Sequence, residues 1–241
     1  MGVWMSVDGV LDDVVNQSLA DVHRRFALRS GRIQRYHPAV AKFIGFPPQM
    51  TPDDWDDLAQ LVPPDTQFVL RNFDQVPDGG FSVVATHRAV QLTGERLRAR
   101  RSPEVVELTA ADVPEMLALV ERTRPGPFFE RTVEMGTYLG IRHNGRLVAM
   151  AGERLRPPGW VEISAVCTDP DYRNRGYASI LVAAVAAVIR DDGRIPFLHA
   201  AYDNEGAIRL YHELGFSLRR QVPLATLQAP KRTVPAPVGS R

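Results

Sequence analysis

Cysteine is almost missing from this chain. Cys167 is the single one in 241 residues, which leaves neither an internal disulfide nor a cysteine-based zinc cluster to hold the fold. Lysine is nearly as scarce: Lys42 and Lys231 are the only two among 29 basic residues, the rest being arginine. Set against 28 acidic residues these give a net charge of +1, so charge offers no case for a nucleic-acid partner, which calls for a basic stripe. No apolar run approaches the ~20 residues that span a bilayer. The most apolar stretch, Val182–Ile189, is short and is stopped by Arg190-Asp191-Asp192-Gly193. Met1 to Val10 has no basic segment leading into an apolar core, so no secretory signal and no membrane partner are expected, and a cytoplasmic protein is. No solenoid-length repeat is visible.

What is present is a globular composition, 44% hydrophobic and 24% charged, enough to bury a core of one large domain or two small ones. The sharpest break is the cationic run Leu97–Pro103. It suggests an N-terminal accessory domain over 1–102 and a second domain over 103–225. Residues 226–241, with Pro230, Pro235 and Pro237, read as a flexible Pro-rich tail.

In the first part, Thr51-Pro52-Asp53-Asp54 is an N-cap with proline in the first turn, predicting a helix through Trp55, Leu58 and Leu61. Gln67–Arg71 and Phe81–Thr86 have strand content, parted by the turn-forming Val76-Pro77-Asp78-Gly79-Gly80. Beyond residue 103, Val113, Met116, Leu117 and Val120 share one helical face. Strands over Thr137–Arg142 and Arg146–Leu155 flank Asn144-Gly145, a type I′ hairpin signal. A third strand, Trp160–Thr168, precedes a helix from Gly176 to Arg190, a strand Ile195–Ala200, a helix Asn204–Leu214 closed by Gly215, and a last strand Phe216–Val222. A hairpin first and a crossover later imply an α/β fold of the α+β type with a mixed sheet, not a doubly wound one.

The densest chemical signal is Asp169-Pro170-Asp171-Tyr172-Arg173-Asn174-Arg175-Gly176-Tyr177-Ala178, between a strand and a helix. A helix start leaves about four backbone N–H groups unpaired, and its dipole favours anions. Gly176 allows close backbone approach, and Arg173 and Arg175 add donors suited to phosphate. The Gly-Lys-Ser/Thr ending of a Walker loop is missing.

Arg173 to Ala178 resembles the Gln/Arg-x-x-Gly-x-Gly/Ala pyrophosphate signature of the GCN5-related N-acetyltransferases (GNAT). Asn204-Glu205-Gly206-Ala207-Ile208-Arg209-Leu210-Tyr211-His212-Glu213-Leu214-Gly215-Phe216 is similar to that family's Asn-x-x-Ala-x-x-x-Tyr-x-x-x-Gly-Phe segment. The resemblance covers about residues 104–225, and the whole chain resembles the FR47-like subgroup, in which a divergent region precedes the catalytic domain. Ala178 stands for the commoner glycine and Arg173 for the commoner glutamine. The resemblance implies an acetyl-CoA-dependent acyltransferase that uses no metal. Arg173, Asn174, Arg175, Gly176, Tyr177 and Ala178 would hold the pyrophosphate. Val166, Cys167 and Thr168 would pair with the pantetheine arm, and Asn204 and Ala207 would also face the cofactor.

Direct transfer to an amine needs an acceptor for the amine proton and a donor for the departing thiolate. The resemblance gives Tyr211 the donor role. For the base, Glu162 is favoured, directly or through water, over Glu153 on the neighbouring strand; each is also readable as a structural partner of Arg154 or Arg156. Cys167 reads as a small buried hydrophobe, and His199 and His212 as structural or exposed. Pro125-Gly126-Pro127-Phe128-Phe129-Glu130-Arg131-Thr132 is the expected acceptor loop, with Phe128, Phe129 and Arg131 as substrate contacts. The acceptor would be a small-molecule or peptide amine; the oligomeric state, a homodimer included, stays open. A catalytically silent CoA-binding module, or a transferase for longer acyl groups or hydroxyl acceptors, remains an alternative.

Overall fold

The computed structural model describes residues 7–231. In chain order the elements are α1 (Val7–Val10), α2 (Val14–Ala20), β1 (Ala27–Ser30), β2 (Ile33–Tyr36), β3 (Ile44–Gly45), α3 (Pro52–Leu61), β4 (Gln67–Arg71), β5 (Ser82–Thr93), β6 (Val105–Leu108), α4 (Val113–Thr123), β7 (Tyr138–His143), β8 (Arg146–Glu153), β9 (Trp160–Thr168), α5 (Tyr177–Asp191), β10 (Ile195–Ala201), α6 (Glu205–Leu214) and β11 (Ser217–Gln228). The local chemistry behind several of these is plain. Thr51 and Asp54 close a reciprocal capping box at the start of α3, where Pro52 occupies the first turn. Asn144 and Gly145 both take positive φ, 50° and 80°, the type I′ turn that joins β7 to β8. Gly215 ends α6 at φ 97°, where an added Cβ would sit 3.0 Å from the Arg96 carbonyl oxygen.

Eight strands form one mixed sheet in the order β4-β11-β5-β10-β9-β8-β7-β6. Every neighbouring pair is antiparallel except β9 and β10. The α5 helix, with Leu181, Val182, Val185 and Ile189 fully buried, covers one face together with α6, packing on Val148, Ala149, Ala151, Val161 and Ile163. The α4 helix covers the other face through Met116 and Leu119, against Tyr138, Leu147, Met150 and Cys167.

The division expected at residue 102 is corrected by this topology. Strand β5 lies between β10 and β11 and pairs with both, and β4 pairs with β11. Leu11, Val14, Phe26 and Tyr36 share a core with Met135, Leu155, Trp160 and Phe197, and Trp55 and Leu58 share another with Ala225 and Leu227. The first hundred residues complete the sheet rather than folding beside it. The expectation of a tail from residue 226 is corrected over its first residues: Thr226–Gln228 belong to β11, and Ala229 is buried with its N–H on the Thr66 carbonyl. The rest of that segment, 232–241, lies outside the described residues. No helix of the described residues is long and apolar enough to cross a membrane.

Candidate active site

The parallel pairing of β9 and β10 ends at Phe197↔Glu162. Past that point β10 continues along β5, from Leu198↔Leu92 to Ala201↔Ala89, while β9 stays with β8 as far as Thr168↔Ala149. The two strands therefore splay, and the β9 edge beyond Glu162 is left without a strand partner. A bulge sharpens the divergence. The β8–β9 register slips between Met150 and Gly152, and Ala165 sits at φ 53°, a strained conformation for a residue with a Cβ. The opening is a cleft of about 480 Å³ whose walls include Val166, Cys167, Thr168, Arg173, Asn204, Ala207 and Tyr211. The sequence placed all seven at one site.

At one end of the cleft the chain passes from β9 into α5. Asp169 is buried and held by Arg122 and Arg146 at 3.0 and 2.7 Å, and its other oxygen accepts the Asp171 N–H. That clamp fixes the loop carrying Arg173, Asn174 and Arg175, whose side chains are exposed. Gly176 is the N-cap of α5 at φ 77° with no side-chain cap, and a Cβ there would meet nothing within 4 Å. Tyr177 and Ala178 form the first turn behind it. Bare helix-start amides next to open space suit an anionic group.

At the other end stands Tyr211 of α6. Its ring packs edge-on against Phe216, centroids 5.8 Å apart, and burial alone pushes its phenol up to about 12. The hydroxyl therefore keeps its proton at any physiological pH. Asn204 accepts the Ala207 N–H and so caps this helix. The Cys167 thiol is buried and pushed up to about 11, chiefly by desolvation, which fits a packing role.

The two glutamates part company. Glu153 faces the α5 side of the sheet, accepts the Thr137 N–H at 3.0 Å and lies 3.5 Å from Arg156. Burial raises its pKa, but it lines none of the clefts described here. Glu162 points to the α4 side and is fully buried. Arg154 grips it through Nε to Oε2 at 2.8 Å and Nη2 to Oε1 at 2.7 Å, and His199 donates Nδ1–H to Oε1 at 2.7 Å. Desolvation opposes its charge, yet Arg154 and His199 outweigh that and hold the carboxylate well below its usual range. Gln91 accepts from Arg219 through Oε1 and donates through Nε2 to the Leu11 carbonyl, so the same amide also donates to His199 Nε2 at 3.1 Å. This fixes His199 as the neutral Nδ1–H tautomer, and burial, with Arg71 nearby, lowers its pKa to about 4. The remaining candidate histidine, His212, is tied to the Phe216 carbonyl at 3.1 Å.

Arg154, His199, Ala200 and Ala201 are shared between the cleft beside β9 and a wider one of about 930 Å³, whose walls include Arg71, Arg88, Gly126, Pro127 and Asp203. The expected acceptor loop reaches this cleft through Gly126 and Pro127, not through the residues singled out. Phe128 turns into the α4 core against Tyr138, centroids 5.5 Å apart. Phe129 lies under Lys42, and Arg131 pairs with Glu134 on the surface. Sequence reading missed Arg71, and it weighed Arg154 only as a structural partner; a lone arginine at a strand end gives no signal until the sheet assembles.

The family described as FR47-like protein matches residues 138–223. N-alpha-acetyltransferase RimI of Mycobacterium tuberculosis is 36% identical over 90 residues, 35% of this chain and 56% of that relative, so the chain matches little more than half of it. A solved structure from Novosphingobium aromaticivorans, assigned to the GNAT family as an acetyltransferase, is 36% identical with a TM-score of 0.84, covering 93% of this chain and 99% of that one. A GCN5-related N-acetyltransferase from Kribbella flavida shares the fold at 16% identity and a TM-score of 0.62, over 94% and 96% of the two chains.

Proposed function

The chain belongs to the GNAT family, and from that premise we propose that it transfers an acetyl group from acetyl-CoA to a primary amine by direct attack. The observation that carries this reading is the β9–β10 opening, with Tyr211 in its wall and Arg173 at its margin, three residues before the bare start of α5 at Gly176. Its parts fit the donor. The free β9 edge over Val166, Cys167 and Thr168 matches an extended amide-bearing arm, as in strand addition. The N–H groups from Arg173 to Ala178 match a pyrophosphate, with Gly176 leaving room where a Cβ would stand. Asn204 and Ala207 wall the same cleft. Acetyl-CoA supplies the activated thioester when bound.

Tyr211, kept protonated at physiological pH because burial raises its phenol pKa to about 12, donates its proton to the departing sulfur and regains one from solvent as the thiol leaves. Glu162 orients Arg154 and His199 at the junction of the two clefts. Both its oxygens are taken and its pKa is depressed, which favours positioning over proton acceptance. The amine then gives its proton to water. A relative named as an N-alpha-acetyltransferase supports a primary amine as acceptor.

The test is turnover of acetyl-CoA against amines, amino acids and peptides, read by thiol release and by mass of the N-acetyl product. With an accepted amine, Tyr211→Phe should lower kcat by ~10²-fold with acetyl-CoA affinity and melting temperature nearly unchanged. Acetyl-CoA binding without any acceptor-dependent thiol would favour a silent binding module instead.

A further inference from the structure

The wider cleft contains a guanidinium that Glu162 attracts at a distance but that no described residue hydrogen-bonds. Arg71 closes β4 and lines this cleft, and its guanidinium has no carboxylate, carbonyl or other hydrogen-bond partner among the described residues. Its Nη1 is sealed from solvent without an acceptor. An unpaired buried guanidinium is costly, and such groups are normally matched. Arg154, beside it, shows the matched case, with Glu162 filling its fork. The Phe43 ring lies 5.0 Å from both guanidinium carbons and holds the two in place.

The other charged and titratable groups around the cleft are His87 and Arg88 from β5, Arg154 after β8, His199 from β10, and Tyr202 and Asp203 beyond it. Asp203 is the one carboxylate among these lining residues, and Glu162 is already committed to Arg154 and His199. The balance is cationic. Adjoining it is a smaller pocket of about 380 Å³ that shares Arg71, Pro127, Arg154 and Leu224, is walled by Phe43, Phe68 and Val69, and has Lys42, Gln67 and Thr226 as its polar lining. A fork with no partner thus stands between an apolar pocket and the passage to the β9–β10 opening.

We propose that Arg71 anchors the acceptor: it binds the carboxylate of an amino acid whose apolar side chain enters the Phe43–Phe68–Val69–Leu224 pocket, with the α-amine left toward the β9–β10 opening. This names the acceptor class and rests on the transferase reading above. Planar, bidentate capture of a carboxylate is what an arginine fork does and a lysine does not.

The experiment compares phenylalanine, leucine and methionine with their carboxamides, using wild-type protein and the Arg71→Met and Arg71→Lys variants. No described residue hydrogen-bonds to Arg71 and its ring contact is with Phe43, so both variants should stay folded and melt within a few degrees of wild type. Acetyl-CoA turnover should favour the acids by more than tenfold in kcat/KM, mainly through KM. Arg71→Met should abolish that preference, raising KM for the acids and leaving the amides unchanged, with Arg71→Lys in between. Calorimetric titration of the same acids into CoA-saturated protein should lose its heat in Arg71→Met. Equal use of acids and amides by wild type overturns the anchor and leaves the transferase reading intact. Amino-acid binding that depends on Arg71, without any thiol release, upholds the anchor and overturns the transferase reading. Neither binding nor turnover of any of the acids also overturns the anchor.

Discussion

Glu162→Gln removes one charge and almost no volume, and its cost follows from the contacts around it. Glu162 is wholly buried, and the side chains of Arg154 and His199 are 13% and 5% exposed. Three charge-assisted bonds of 2.7 to 2.8 Å end on this carboxylate. Losing it leaves Arg154 charged and buried without a counter-ion, a situation that costs about 3–5 kcal/mol. Domains of this kind have about 5–15 kcal/mol in all, so the variant should fold but unfold at a urea midpoint lower by roughly 1–2 M. Arg154→Met alone should be similarly costly, and it should raise the His199 pKa from about 4, because a repelling charge is gone. The double variant Arg154→Met/Glu162→Leu removes both charges together. It should return to within ~2 kcal/mol of wild type, the remainder being the His199 Nδ1–H left without its acceptor. Urea melts of wild type, Arg154→Met, Glu162→Leu and the double variant give the cycle, and a coupling energy of at least ~3 kcal/mol is expected. Single effects that add to within ~0.5 kcal/mol would refute the claim that these two side chains stabilise each other in a dry site.

The site residues just described have pKa values away from neutrality: Glu162 far below, His199 about 4 and Tyr211 about 12. Between about pH 6 and 9 the profile of kcat/KM should therefore follow the acceptor amine and shift when an amine of different basicity is used; a fixed inflection near 7 would reveal an enzyme base. Acid should destabilise the fold in a defined window. His23 is buried, accepts from the Tyr36 hydroxyl at 2.8 Å and donates to the Met135 carbonyl at 2.9 Å, and burial lowers its pKa from 6.5 to about 4. The unfolded chain binds that proton first, so stability should fall as pH drops from 6.5 to about 4, by about 3 kcal/mol for this group. Chemical denaturation across that range checks it. His199, also lowered to about 4, titrates in the same window, so His23→Gln should remove roughly half of the slope, and an unchanged slope would count against His23.

The parts of the molecule legible in the sequence are those where local chemistry and tertiary context agree. Trp160–Thr168 is bounded to the residue, and the Asn144-Gly145 turn and the Gly215 stop rest on local preferences, whereas Asn204, read as the first residue of its helix, is its cap. Strand β5 was traced only to Thr86, because its burial does not alternate: the first half is mostly exposed and the last five residues are all buried. No period of two exists there to be seen. The short strands β1, β2 and β3 likewise gain their partners only from the assembled sheet. The same reason explains the division at 102, since a strand inserted between β10 and β11 has no sequence-local signature. At the site, the motif residues on β9, α5 and α6 were grouped in advance. The Arg154–Glu162 pair is among the readings the sequence leaves open, but the addition of His199 and the placement of Arg71 are not legible there, because these residues come from separate strands.

The central claim, that the bare α5 start receives the anionic end of acetyl-CoA, is tested most directly by calorimetric titration of acetyl-CoA into wild type, Gly176→Asn and Gly176→Asp. Position 176 has φ 77° and open space beyond it, a conformation that both asparagine and aspartate tolerate better than other side chains. The two variants differ only in charge. One acetyl-CoA per chain should bind to wild type, and Gly176→Asp should bind at least tenfold more weakly than Gly176→Asn, since a carboxylate then faces the pyrophosphate. Equal affinities for the two variants, or two acetyl-CoA molecules per chain, would contradict the account.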